Sequence, residues 1–128
     1  MRLFRAMREC VNGYPEIGSG ARLLGVRPGI DVPALLPADV VFPGQGGVSV
    51  GPSDPMNLPY FRRPPELGGT GRDPVWSIDE SVLGSEITYR TDPSNAQHGF
   101  LEPARPMTLL EFQSALARTQ LCWYKESP

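Results

Sequence analysis

A strand and a helix stand side by side in His98-Gly99-Phe100-Leu101-Glu102-Pro103-Ala104-Arg105-Pro106-Met107-Thr108-Leu109-Leu110-Glu111-Phe112. His98 to Glu102 reads as a strand. Strand side chains alternate with period two, so His98, Phe100 and Glu102 share one face. Thr108 reads as a helix N-cap, and Glu111, three residues on, completes a capping box. Pro106 just before it suits the start of a helix. Leu109, Phe112, Ala115, Leu116 and Thr119 then fall along one side of that helix.

Shorter signals lie upstream. Val75-Trp76-Ser77-Ile78 is a run of good strand formers, and Glu86 to Arg90 is another, with Ile87 and Tyr89 on one face. Val40-Val41-Phe42 is a short strand stopped by Pro43-Gly44. Gly46 to Val50 reads as a strand reached through a flexible turn. Residues 2–7 alternate too briefly to separate a strand from the start of a helix running to Val11. Glu16 to Val26 predicts a short helix on the spacing of Ile17, Ala21 and Leu24, although Gly18 and Gly20 each cost about 1 kcal/mol relative to alanine. Pro28 to Pro37 is a proline-punctuated connection. Gly51 to Gly71 is too rich in proline and glycine for regular structure. Its length exceeds that of an ordinary connection, which points to function or to a lid. Cys122-Trp123-Tyr124 packs or pairs near the end. No internal repeat is visible. Short strands, one or two short helices and long Pro/Gly-rich loops together predict an antiparallel, sandwich-like α+β fold.

The 128 residues suit one domain spanning 1–128. The 15 prolines and 14 glycines are interleaved with Leu, Val, Phe, Trp and Tyr, so the loops are expected to be ordered. The net charge of −2 argues against a nucleic-acid partner, which would call for a basic excess. Arg62-Arg63 and Arg2/Arg5/Arg8 are only small local clusters. An RNA-binding module that stacks bases on Phe61, Trp76 or Tyr89 meets the same objection. Cys10, Cys122 and the one histidine match no zinc spacing. Met1-Arg2-Leu3-Phe4-Arg5 lacks the apolar run of a signal peptide, and no stretch approaches the ~20 apolar residues of a membrane span. The chain is therefore expected to be soluble and made in the cytoplasm. A protein exported by a signal-free secretion machine reads the same way.

Several groups suit chemistry. A strand presenting His98, Phe100 and Glu102 lines a pocket or, equally, forms a half-exposed edge. Arg5, among apolar neighbours, suits a guanidinium clamp on phosphate or carboxylate, or is an ordinary surface arginine or an ion-pair partner of Glu9. Gly46-Gly47-Val48-Ser49 offers close backbone approach and a hydroxyl, or simply a hairpin turn. Gly68-Gly69-Thr70-Gly71-Arg72 lacks the Gly-Lys-Ser/Thr end of a phosphate loop. There is no Gly-x-Ser-x-Gly elbow, and a Cys–His nucleophile would need folding to bring a cysteine to His98. Tyr60, Phe61, Arg62 and Arg63 form a substrate-facing or partner-facing surface, or a plain packed loop.

Three segments together resemble a small family of type VI secretion effector toxins with an ADP-ribosyltransferase-like fold. They are Leu3-Phe4-Arg5-Ala6, Phe42-Pro43-Gly44-Gln45-Gly46-Gly47-Val48-Ser49-Val50, and His98 followed by Pro103-Ala104-Arg105-Pro106-Met107. The resemblance implies a mixed β-sandwich that binds NAD, as substrate, in a cleft between strands. Arg5 would hold the NAD phosphates, and Ser49 and His98 would position the nicotinamide ribose. Val48 stands where the family pattern has a second hydroxyl. Glu102 is nominated with His98 as catalytic from ADP-ribosyltransferases generally. There a strand-borne carboxylate stabilises positive charge growing on the ribose as nicotinamide leaves.

The implied function is an NAD-dependent, mono-ADP-ribosyltransferase-like toxin that arrests growth of a target bacterial cell. It would act on a macromolecule in that cell's cytoplasm, and a cognate immunity or antitoxin protein would neutralise it. The alternative is a non-catalytic interaction module, an immunity or neutralising protein, on the same kind of fold. Convergence of Arg5, Ser49 and His98 on one cleft separates the two, since a binding module has no need of it.

Overall fold

The alternation at residues 2–7 resolves as a strand. In the computed structural model, which describes residues 1–126, β1 (Arg2–Ala6) turns Leu3 into the main core and Phe4 toward a second, smaller cluster with Leu58 and Val75. Both of its faces are covered, as befits its central place. It pairs with β3 (Val48–Pro52) on one side and β4 (Val75–Asp79) on the other. Beyond β3 lie β6 (Asn95–Pro103) and β5 (Ile87–Asp92), joined as a hairpin, and beyond β4 lies β8 (Tyr124–Lys125). The order in the sheet is β5-β6-β3-β1-β4-β8, and every ladder is antiparallel. A separate ribbon pairs β2 (Val40–Val41) with β7 (Met107–Thr108).

Among the described residues the fold is thus α+β, its regular structure mostly strand, with one α-helix and several short 3-10 turns. The sandwich expectation needs a change of detail. Six strands gather in one sheet, and its second layer is no matching sheet. It is the β2–β7 ribbon, the helix α1 (Leu109–Ala117) and the irregular segment carrying Leu24, Val26, Val32 and Ala34. Apolar side chains from that layer meet Leu3, Val48, Val50, Trp76, Ile78 and Leu101 of the sheet, and Met7 just past β1.

No helix forms over Glu16–Val26. Ile17 and Leu24 form a parallel bridge, and Leu24 is buried while Ile17 is exposed, so the predicted stripe does not exist. Gly25 explains part of this. A Cβ there would stand 2.1 Å from the Gly18 carbonyl oxygen, an approach only glycine permits. Gly51–Gly71 also departs from expectation. Its first two residues complete β3, and two 3-10 turns follow at Pro55–Asn57 and Pro65–Leu67. Leu58 pins the segment to the sheet against Phe4 and Val75.

The capping box stands as read from sequence. The Glu111 amide donates to Thr108 Oγ1 at 3.1 Å, and the Thr108 amide to Glu111 Oε1 at 3.0 Å. Leu109, Phe112, Ala115 and Leu116 are the buried residues of α1. Thr108→Ala is expected to lower stability by about 1 kcal/mol, measured as a shift in the urea unfolding midpoint at unchanged slope.

Candidate functional site

The β1–β3 ladder consists of Leu3↔Pro52 and Phe4↔Gly51 and goes no further toward Arg5. Beyond it the guanidinium of Arg5 bridges to the neighbouring strand. Its Nη1 donates to the Ser49 carbonyl at 2.9 Å. Its Nη2 donates to the carbonyls of Ala21 at 3.1 Å and Leu23 at 2.9 Å. Arg5 is only 7% exposed. Burial lowers its pKa from the ordinary 12.5 to about 10, against the field of Asp31, which raises it. It remains a cation at neutral pH. Its Nε is buried with no hydrogen-bond partner. The proposed ion pair with Glu9 does not form, because Glu9 binds Lys125 instead.

Beside Arg5 opens a cavity of about 220 Å³. Arg5, Ser49 and His98 all line it, drawn from β1, β3 and β6. Asn57, Leu58, Pro59, Phe61 and Arg62 close another side, so the long proline-rich segment is a wall of the site. Arg27 and Asp31 also face it as a closed pair, the Arg27 Nη2 donating to Asp31 Oδ1 at 2.9 Å. Arg62 has no carboxylate partner among the described residues; its guanidinium lies 5.5 Å from the Phe61 ring centroid. The lining therefore carries an excess of positive charge.

His98 reaches the cavity from a disturbed stretch of β6. The β5–β6 register is regular from Ile87↔Pro103 to Thr91↔Gly99 and then shifts, so that Asp92 faces Asn95. Such bulges re-aim side chains. His98 Nδ1 lies 2.8 Å from Asp92 Oδ2. Asp92 Oδ1 accepts from the Ser94 amide at 2.9 Å and from Ser94 Oγ at 2.8 Å. These bonds, His98 first, lower the Asp92 pKa from its ordinary 3.8 to about 2. The His98 ring meets Phe100 edge-on, centroids 4.8 Å apart.

Glu102 shares the outer face of β6 with His98 and Phe100 but does not line the cavity. It is 5% exposed, and its Oε2 accepts from Arg90 Nε at 2.8 Å and from the Gly44 amide at 2.7 Å. Arg90 also lies over Phe100, its guanidinium carbon 4.9 Å from the ring centroid. The carboxylate nominated from sequence is thus bound up between a strand neighbour and the β2–β3 turn. Asp31, the one carboxylate in the lining, is committed to Arg27.

The remaining sequence candidates separate from this site. The amides of Gly69, Thr70 and Gly71 donate to the carbonyls of Pro64, Tyr60 and Arg63, so the glycine run is closed on itself and its amides are not free for phosphate. Neither cysteine lines the His98 cavity. No cluster of His, Cys, Asp or Glu among the described residues could hold a metal ion. Among the described residues no helix is long and apolar enough to cross a membrane. Tyr60 and Phe61 are exposed and pack edge to face at 5.9 Å. Asp92, Arg27 and Asp31 escaped the sequence reading. Asp92 left a trace in Asp92-Pro93-Ser94-Asn95, a run of turn residues just upstream of His98.

No protein family, curated protein or solved structure matches the chain.

Proposed function

We propose that the chain is an NAD-using toxin of the ADP-ribosyltransferase type and that the Arg5–Ser49–His98 cavity is its NAD site. One observation carries this reading. Three residues nominated from segments spread across the chain line the same cavity. The lining also suits the ligand. The charge of the Arg5 guanidinium and the unpaired Arg62 favour a diphosphate. The volume is below the ~300–1,000 Å³ of pockets that enclose a drug-sized ligand. It would take one end of the dinucleotide, the rest running out along the Phe61–Arg62 wall. Bound NAD would supply a glycosidic bond to nicotinamide that is already poised to break. The protein would act in the cytoplasm of a target cell, and a neutralising partner would protect the producer.

The placement of Glu102 favours a second reading, a module that kept the cavity and lost the transfer chemistry. A preplaced anion stabilises the developing ribose cation only if it lies beside it, and Glu102 is held elsewhere by Arg90 and Gly44.

Expression in a bacterium, with NAD binding and nicotinamide release measured on the purified chain, separates the two. Wild type is expected to arrest growth and to release nicotinamide. His98→Ala is expected to be harmless, with its melting temperature within a few degrees of wild type. NAD binding without nicotinamide release would favour the binding module. A harmless wild type that binds no NAD would remove both readings of the cavity.

A further inference from the structure

We propose that Asp92 is a positioning residue that fixes the His98 ring with its Nδ1–H on the carboxylate, leaving Nε2 free to accept a hydrogen bond from a ligand hydroxyl in the cavity. An ionised carboxylate only accepts hydrogen bonds. A neutral imidazole 2.8 Å from one through Nδ1 must therefore carry its proton there. Nε2 makes no hydrogen bond among the described residues, and His98 lines the cavity. The carboxylate is itself anchored. Its other oxygen takes two bonds from Ser94, so the turn between β5 and β6 holds Asp92 before any ligand arrives.

The arrangement is built rather than incidental. The register shift after Thr91↔Gly99 leaves His98 outside the ladder, between Gly99, which faces Thr91, and Asn95, which faces Asp92. Phe100 braces the ring on one side. The charged groups that share the site are Asp92 from the hairpin, Arg90 above Phe100, and Arg5, Arg62 and the Arg27–Asp31 pair across the cavity. All of these except Asp92 and Asp31 are cations. Where the surrounding cations donate to the oxygen of a ribose hydroxyl, its O–H is left to find an acceptor, and a bare Nε2 is one. The tautomer stands on geometry alone; its use in binding rests on the NAD reading above.

His98 is the one histidine of the chain, so its ring nitrogens give unambiguous signals in a nitrogen-15 labelled sample. At a pH where imidazole is neutral, the wild-type chain is expected to show a protonated Nδ1 and a bare Nε2. Asp92→Asn keeps the size and an oxygen for Ser94 but turns an NH2 group toward Nδ1, and the proton is expected to move to Nε2. NAD affinity is then expected to fall about tenfold or more, the equivalent of one hydrogen bond to a charged or polar group, while the melting temperature stays near wild type. A protonated Nε2 in the wild type, which needs no variant to measure, would overturn the assignment. So would a variant with wild-type ring signals. A reversed tautomer with undiminished NAD affinity would overturn its role in binding. A wild type with the expected ring signals but no affinity for NAD would sink the NAD reading and leave the Asp92–His98 geometry intact.

Discussion

Arg5→Ala is expected to destabilise the protein by about 3 kcal/mol and, on the NAD reading proposed above, to abolish NAD binding. The guanidinium is the donor for the carbonyls of Ser49, Ala21 and Leu23. Each hydrogen bond to a charged group is worth about 1.5–3 kcal/mol net, and each buried carbonyl left without a donor costs about 1–3 kcal/mol. Two effects reduce the total. Removing Arg5 relieves the desolvation of a buried cation with no carboxylate in contact. Water can also enter from the cavity and meet the vacated carbonyls. The sum remains a large share of the ~5–15 kcal/mol that holds a typical domain. Arg5→Lys is expected to recover only part, because a compact ammonium cannot span carbonyls that a planar fork reaches together. Urea unfolding measures the first effect and calorimetric titration with NAD the second. An alanine variant within about 0.5 kcal/mol of wild type would show that the bridge between β1, β3 and the Ala21–Leu23 segment carries no weight.

The largest loss is expected at Trp76. The side chain is 1% exposed, and its indole Nε1 donates to the Met7 carbonyl at 2.9 Å. Trp76→Ala removes the biggest fully buried side chain and leaves that carbonyl without its donor. Aromatic-to-alanine changes in cores cost about 3–5 kcal/mol, which corresponds to a fall in Tm of roughly 10–20 °C for a domain of this size. Trp76→Phe keeps much of the volume and is expected to lose less than half as much. Trp123, buried in the same core, remains as a fluorescence probe of unfolding in both variants. Equal stability of the alanine variant and wild type would contradict the burial of Trp76 in the main core and its bond to Met7.

What could be read in advance divides by distance along the chain. The Thr108–Glu111 capping box and the strand at Val75–Ile78 declare themselves within a few residues, and both are present. The helix expected over Glu16–Val26 failed for a local reason with a distant cause. Spacing suggested a stripe, but Gly25 is spent on a close pass beneath the Gly18 carbonyl, and the backbone bonds of Arg8 and Glu16 go across the segment rather than along it. Arg5 could be nominated from its apolar surroundings. Its partners could not, since they are backbone carbonyls from other elements, and any residue supplies a carbonyl. Glu102 shows the same blindness from the other side. Period two placed it correctly beside Phe100, yet nothing local announces that Arg90 and Gly44 take up its charge.

The place of β1 also has a consequence for how the molecule comes into being. Arg2–Ala6 leaves the ribosome long before Val48–Pro52 and Val75–Asp79, the two strands that flank it. Only the β5–β6 hairpin joins neighbours in sequence; the other ladders must close long loops first, and such topologies fold slowly. The nascent chain therefore waits with an apolar segment unpaired, and its cavity is assembled only after Asp92 and His98 have been synthesised. For that interval the polypeptide exists without the cavity lined by Arg5, Ser49 and His98.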